Sequence, residues 1–200
     1  MARLKRYINL TNARRLLNDT RFRKLILFIK LVLTPIIYLI GPRVKTNRKN
    51  QKPDKPFLIV VTHEASATGA PILALNLVNR LSDKFNVITI LMRGGVLKSN
   101  FWEKSIATIE PRFGLFLKTG LEKRIRKVGN GCMPEYAIVN SVVSAGALQP
   151  LRSINIATIT LIHEFGAYIK PTEVLDNVAK WSTHLIFSSQ LTYEDIIGRS

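Results

Sequence analysis

From residue 57 onward, short apolar runs rich in β-branched residues alternate with longer stretches of helical spacing. The runs FLIVVT (57–62), NVITILM (86–92), EYAIV (135–139), IATITLI (156–162) and HLIFS (184–188) predict strands, and 105–109 predicts a further, edge-like one. Helices are predicted over 71–82, 118–127, about 145–151, and 172–180 with Thr172 as its cap. In the first of these, Asn76, Asn79, Arg80 and Asp83 fall on one polar stripe. That leaves Ala74, Leu75, Val78 and Leu81 as an apolar face to pack on a sheet. The basic stretch 118–127 reads as a surface helix, ended by the turn residues Gly129, Asn130 and Gly131. Phe101 and Trp102 belong to a short segment that packs under a loop or touches a lipid or sugar. Strand runs this short and this apolar predict an α/β fold: an open, mostly parallel sheet with helices on both faces.

The first 56 residues do not share that rhythm. Residues 2–24 mix Arg and Lys with Leu, Ile, Tyr and Phe, and 25–40 reads LILFIKLVLTPIIYLI, interrupted by Lys30 and Pro35. A bilayer-spanning helix takes roughly 20 apolar residues, so this run predicts a segment lying in a membrane surface rather than crossing it. Charge supports that reading. Residues 1–52 hold 14 of the chain's 30 Lys and Arg but, in Asp19, one of its 13 acidic residues. Each cation near an anionic leaflet adds about 1 kcal/mol to apolar insertion. A nucleic-acid partner is not expected, because 16 nearly uninterrupted apolar residues suit a wet phosphate surface poorly. The polar, Pro-bounded stretch 41–56 reads as a linker. The expected organisation is a membrane-associating segment with its linker over 1–52 and an α/β domain over 53–200. With Cys132 as its single cysteine the chain forms no internal disulfide, which suits a reduced, cytoplasmic setting at the membrane face.

Ligands of open parallel sheets bind outside the carboxyl ends of the strands. The segments predicted there are 63–70, 93–95, 140–141, 163–166 and 188–190, which places His63, Glu64, Gly69, Ala70, Asn140, Ser141, His163 and Glu164 around one crevice. The loop THEASATGA opens a helix whose first-turn N–H groups and positive dipole end attract a phosphate or carboxylate, with the amides of Gly69, Ala70 and Ile72 as donors. This loop is neither a P-loop nor a GxGxxG fingerprint. His63-Glu64 and His163-Glu164 each follow a strand, where a histidine serves either as a hydrogen-bonded structural group or as a functional one. Neither pair has HExxH spacing and no cysteine cluster accompanies them, so no metal site is expected. Cys132 sits in a Gly-rich turn with no base placed beside it, and Arg93 is open to either solvent or an anionic ligand.

Four of these pieces together, THEASATGAPILALNL, AIVNS, ITLIHEF and LIFSS, resemble the N-terminal half of the family 4 glycosyltransferases over about residues 57–200. That resemblance implies the GT-B architecture, in which two Rossmann-like domains face each other across a cleft. It implies that the loop at Gly69 and Ala70 lies against donor phosphates and acceptor, and that His163 contacts the transferred sugar as the catalytic residue. No bound cofactor is implied, the nucleotide-sugar being a co-substrate. Family members hold the donor mainly through an E-x7-E-type glutamate pair in the second domain. The chain is therefore expected to act as an acceptor-side half, inactive in transfer until a C-terminal domain joins it in cis or in trans.

The function expected is transfer of a sugar from a nucleotide-sugar to a glycan or lipid-linked acceptor at the cytoplasmic face of a membrane. The alternative from a different class is a non-catalytic, membrane-associated module that uses the same crevice for an anionic ligand or a partner domain. Transfer activity, with or without a second domain, separates the two.

Overall fold

In the computed structural model, which describes residues 42–111 and 118–198, seven strands form one sheet. In chain order the elements are β1 (Arg43–Thr46), β2 (Phe57–Thr62), α1 (Gly69–Leu81), β3 (Asn86–Leu91), α2 (Lys98–Lys104), β4 (Ala107–Glu110), α3 (Lys118–Val128), β5 (Tyr136–Asn140), α4 (Leu148–Arg152), β6 (Ala157–Ile162), α5 (Glu173–Trp181), β7 (His184–Phe187) and α6 (Gln190–Ile197). Three short 3-10 turns add Arg48–Asn50, Val142–Ala147 and Gly166–Tyr168. Spatially the strands run β1-β4-β3-β2-β5-β6-β7. All neighbours are parallel except β1, which pairs antiparallel with β4. Without β1 this is the doubly wound Rossmann-like order, and its switch point lies between β2 and β5.

The alternation within β2 builds the two layers. Val60 joins Val87 and Leu91 of β3 in a cluster with Ala74 and Val78 of α1 and Phe101 of α2. Ile59 and Val61 point the other way, joining Ile88, Ile90, Ala137 and Val139 under Leu121 and Ile125 of α3, Leu148 and Leu151 of α4, and Val178 of α5. A strand buried on both faces has no polar side to show, which is why these runs are continuously apolar. Each fully buried Leu, Ile or Val contributes about 1.5–3 kcal/mol relative to exposure.

Several sequence expectations change here. Residues 42–56 are not a linker. Pro42 is buried, β1 is the outer strand of the sheet, and the compact unit that holds the sheet is Gly41–Ser200. As a result β4 is an interior strand rather than an edge. The segment 98–104 is a helix whose Phe101 is fully buried, and Trp102 packs on β1, donating Nε1–H to Thr46 O at 3.3 Å beneath the Lys45 ammonium. Helix α3 is amphipathic rather than purely superficial, with Leu121, Arg124 and Ile125 buried. Thr172 is itself helical in backbone and makes no capping hydrogen bond. α6, which the hydrophobic pattern did not predict, starts at a true cap: Ser189 Oγ accepts from Thr192 N at 3.1 Å. Among the described residues no helix is long and apolar enough to cross a membrane, and the apolar run 25–40 lies outside those residues.

Candidate functional site

The loop after β2 is held from three sides. Within it, Thr62 Oγ1 donates to Glu64 O at 3.0 Å, Ser66 Oγ donates to Glu64 Oε1 at 2.6 Å, and Ser66 and Thr68 hydroxyls meet at 2.9 Å. From below, the turn after β3 grips it: Leu97 N donates to Ala65 O at 2.8 Å and Ala65 N to Gly94 O at 3.4 Å. Gly95 makes that grip possible, because a Cβ there would lie 2.2 Å from the Ala65 carbonyl group. From the side, Asn140 at the end of β5 donates Nδ2–H to Ala70 O at 2.8 Å.

The loop delivers the start of α1. The helix begins at Gly69, two residues before the predicted start, so Pro71 falls in the first turn where its missing N–H costs nothing. Ile72 N is already spent on Thr68 O at 3.0 Å, which removes it from the expected donor set. The amides of Gly69 and Ala70 keep their first-turn freedom. The space in front of Gly69 is open, for a Cβ there would meet nothing within 4 Å.

The second half of the site comes from the ends of β5 and β6. Asn140 and Ser141 are both 0% exposed. Asn140 Oδ1 lies 3.0 Å from His163 Nε2, so a single buried amide bridges Ala70 on α1 to His163 just beyond β6. Ser141 sits at φ 74°, ψ 144°, in the region that normally belongs to glycine. Its backbone N–H donates to Leu161 O at 3.0 Å, its hydroxyl donates to Glu164 Oε1, and Val143 N donates to its Oγ at 3.2 Å. Glu164 Oε2 accepts the His163 backbone N–H at 3.0 Å, leaving both carboxylate oxygens occupied within the protein. Sequence reasoning grouped Asn140, Ser141 and Glu164 with ligand-contacting residues. The Asn140 and Ser141 side chains are fully buried, whereas Glu164 is half-buried and also lines an open pocket.

His63 stands apart from that network. Its Nε2 is 3.6 Å from Glu64 Oε1, and its buried Nδ1 has no hydrogen-bond partner. Among the described residues the two His-Glu pairs do not combine into a cluster of three or more potential metal ligands. Arg93, in the turn after β3, is exposed and makes no interaction with any described residue.

Beside Glu164 lies a feature that no sequence pattern announced, an open pocket of ≈ 220 Å³. Val142, Ala145, Gly146, Ile169 and Val174 make it apolar, while Tyr168 and Lys170 stand at its rim, Tyr168 at 81% exposure. A second hollow of ≈ 210 Å³ shares Ala145, Gly146 and Val174 and extends to Trp181. The arrangement offers anion-attracting amides, a held imidazole and an adjoining apolar trough with aromatic ends.

Comparison with known proteins adds no assignment: no family model, curated protein or solved structure matches the chain.

Proposed function

We propose that this chain is the acceptor-side domain of a family 4-type glycosyltransferase, moving a sugar from a nucleotide-sugar to a glycan or lipid-linked acceptor at the cytoplasmic face of a membrane. The observation that carries the reading is the Ala70–Asn140–His163 bridge, which joins the first turn of α1 to the end of β6 across the switch point of a Rossmann-like sheet. In sugar transfer the departing nucleoside diphosphate gathers negative charge. The amides of Gly69 and Ala70, backed by the positive end of a 13-residue helix, are suited to stabilise it, and Arg93 adds a cation on the next loop. His163, tied through Asn140 to the Ala70 carbonyl, is suited to contact the reacting sugar. The trough from Tyr168 to Trp181 is suited to the acceptor, since aromatic faces accept sugar rings or apolar chains.

The nucleotide itself needs a second wall, and in this reading a second domain, in cis or in trans, provides it. The basic and apolar segment before Pro42 tethers the domain to an anionic membrane surface.

The test is transfer of radiolabelled sugar from UDP-, GDP- and dTDP-sugars to membranes of the producing cell, with the chain joined to or co-expressed with its second domain. His163→Ala in that assembly is expected to lower turnover by roughly 100-fold, the scale of losing one preorganised polar contact. Unchanged turnover in the variant would overturn the site. Diphosphate binding without transfer under every donor would instead favour a non-catalytic module.

A further inference from the structure

The bridging amide of Asn140 has a chemical consequence for His163. A carbonyl oxygen has only lone pairs, so the Asn140 atom 2.8 Å from Ala70 O is the NH2 nitrogen. Its oxygen therefore faces His163 Nε2 at 3.0 Å. An amide oxygen only accepts, so Nε2 must carry the hydrogen. In the neutral ring that leaves Nδ1 as a bare acceptor.

We propose that Asn140 is a positioning residue that locks His163 in the Nε2–H tautomer and so sets Nδ1 to receive a hydrogen bond from a donor group on the ligand. Three observations make the lock rigid. Asn140 is fully buried, so water does not compete for its amide. Its backbone is fixed in β5, with its carbonyl accepting Ser144 Oγ at 2.7 Å. On the other side, the His163 backbone N–H is held by Glu164 Oε2 and the Glu164 carboxylate by Ser141 Oγ, so the base of the ring is pinned as well as its tip. Nδ1 has no partner among the described residues. At neutral ring charge the site therefore prefers a hydroxyl or ammonium over a carbonyl or carboxylate at that nitrogen. The tautomer follows from hydrogen-bond chemistry alone and stands whether or not the chain transfers sugar.

The experiment is a long-range 1H–15N correlation spectrum of the uniformly labelled full chain at a pH where the ring is neutral. The chain has three histidines, so His63→Gln and His184→Gln assign the signals. Wild type is expected to show His163 as a single Nε2–H species. Asn140→Ala is expected to give a mixture of both tautomers, and Asn140→Asp, which accepts at Nε2 but loses the donor to Ala70 O, to keep Nε2 protonated. Thermal melting reports whether each variant is folded. If neither variant folds, the wild-type spectrum decides alone. A wild-type His163 that is Nδ1–H or mixed, or a folded Asn140→Ala with an unchanged tautomer, overturns the proposal.

Discussion

Arg48 donates from Nη1 to Val128 O at 2.9 Å, so a side chain between β1 and β2 ties off the carboxyl end of a helix 80 residues later. The same guanidinium reaches Lys127 O at 3.1 Å and Asn130 Oδ1 at 3.1 Å. A cation set against the last carbonyls of α3 satisfies acceptors that have no intrahelical donor and opposes the negative end of the helix dipole. Arg124 makes the reciprocal tie, donating Nε–H to Pro42 O at 2.6 Å.

From these ties it follows that residues 42–52 are part of the folded body. Arg48→Ala is expected to cost about 1 kcal/mol, since the side chain is largely solvent-exposed, and to lower Tm by about 2–4 °C. A chain beginning at Gln51 should suffer far more. It loses β1, bares the edge of β4 and deprives Arg124 of the Pro42 carbonyl. Thermal melts of both variants check this, and a chain begun at Gln51 that melts with the full chain would show β1 to be dispensable.

What could be read from sequence divides along the same line. The interior strands were legible because burial on both faces demands an apolar run, as in FLIVVT. β1 was not: RVKT is exposed at all four positions, and two cations among four residues look like solvent-facing linker. The nearness of the strand-end segments was legible from strand ends alone, and hydrogen bonds join Ala70, Asn140 and His163 among the residues grouped there. The direction of each side chain was not. Nothing in AIVNS distinguishes an Asn140 turned inward to bridge two elements from one turned outward to a ligand, because that depends on β5 lying between β2 and β6. The grip of Gly95 on Ala65 was equally hidden, since it is a contact between backbones 30 positions apart. The Ser189 cap did leave a trace, a Ser three residues ahead of Thr192 at the start of α6.

Ser141 offers a test of stored strain. Its φ of 74° costs a non-glycine residue about 1–3 kcal/mol, offset by the hydrogen bonds its hydroxyl makes with Glu164 and Val143. Ser141→Ala keeps the strain and loses the bonds, whereas Ser141→Gly loses the bonds and the strain together. Glycine is therefore expected to be the more stable of the two variants by about 1 kcal/mol, with both below wild type. Chemical denaturation of the three proteins gives the order, and an alanine variant as stable as the glycine one would show that the backbone is unstrained.

Gly69 and Gly95 flank the same loop and should respond in opposite ways to one added methyl group. At Gly95 the new Cβ would lie 2.2 Å from the Ala65 carbonyl group and 2.7 Å from Ser66 N, so the turn after β3 must separate from the loop and the Leu97–Ala65 hydrogen bond is lost. Gly95→Ala is expected to destabilise by about 1–3 kcal/mol. At Gly69 the Cβ enters empty space at the start of a helix, where alanine is the better helix former, so Gly69→Ala should leave stability unchanged or raise it by up to about 1 kcal/mol. Under the proposed function, an anion approaches the Gly69 and Ala70 amides through that space. Gly69→Ala is therefore expected to weaken pyrophosphate or UDP binding in an amide NMR titration, and Gly69→Val to weaken it further, while Tm holds. A stable Gly69→Val that binds the diphosphate as wild type does would mean that the anion does not sit at the start of α1.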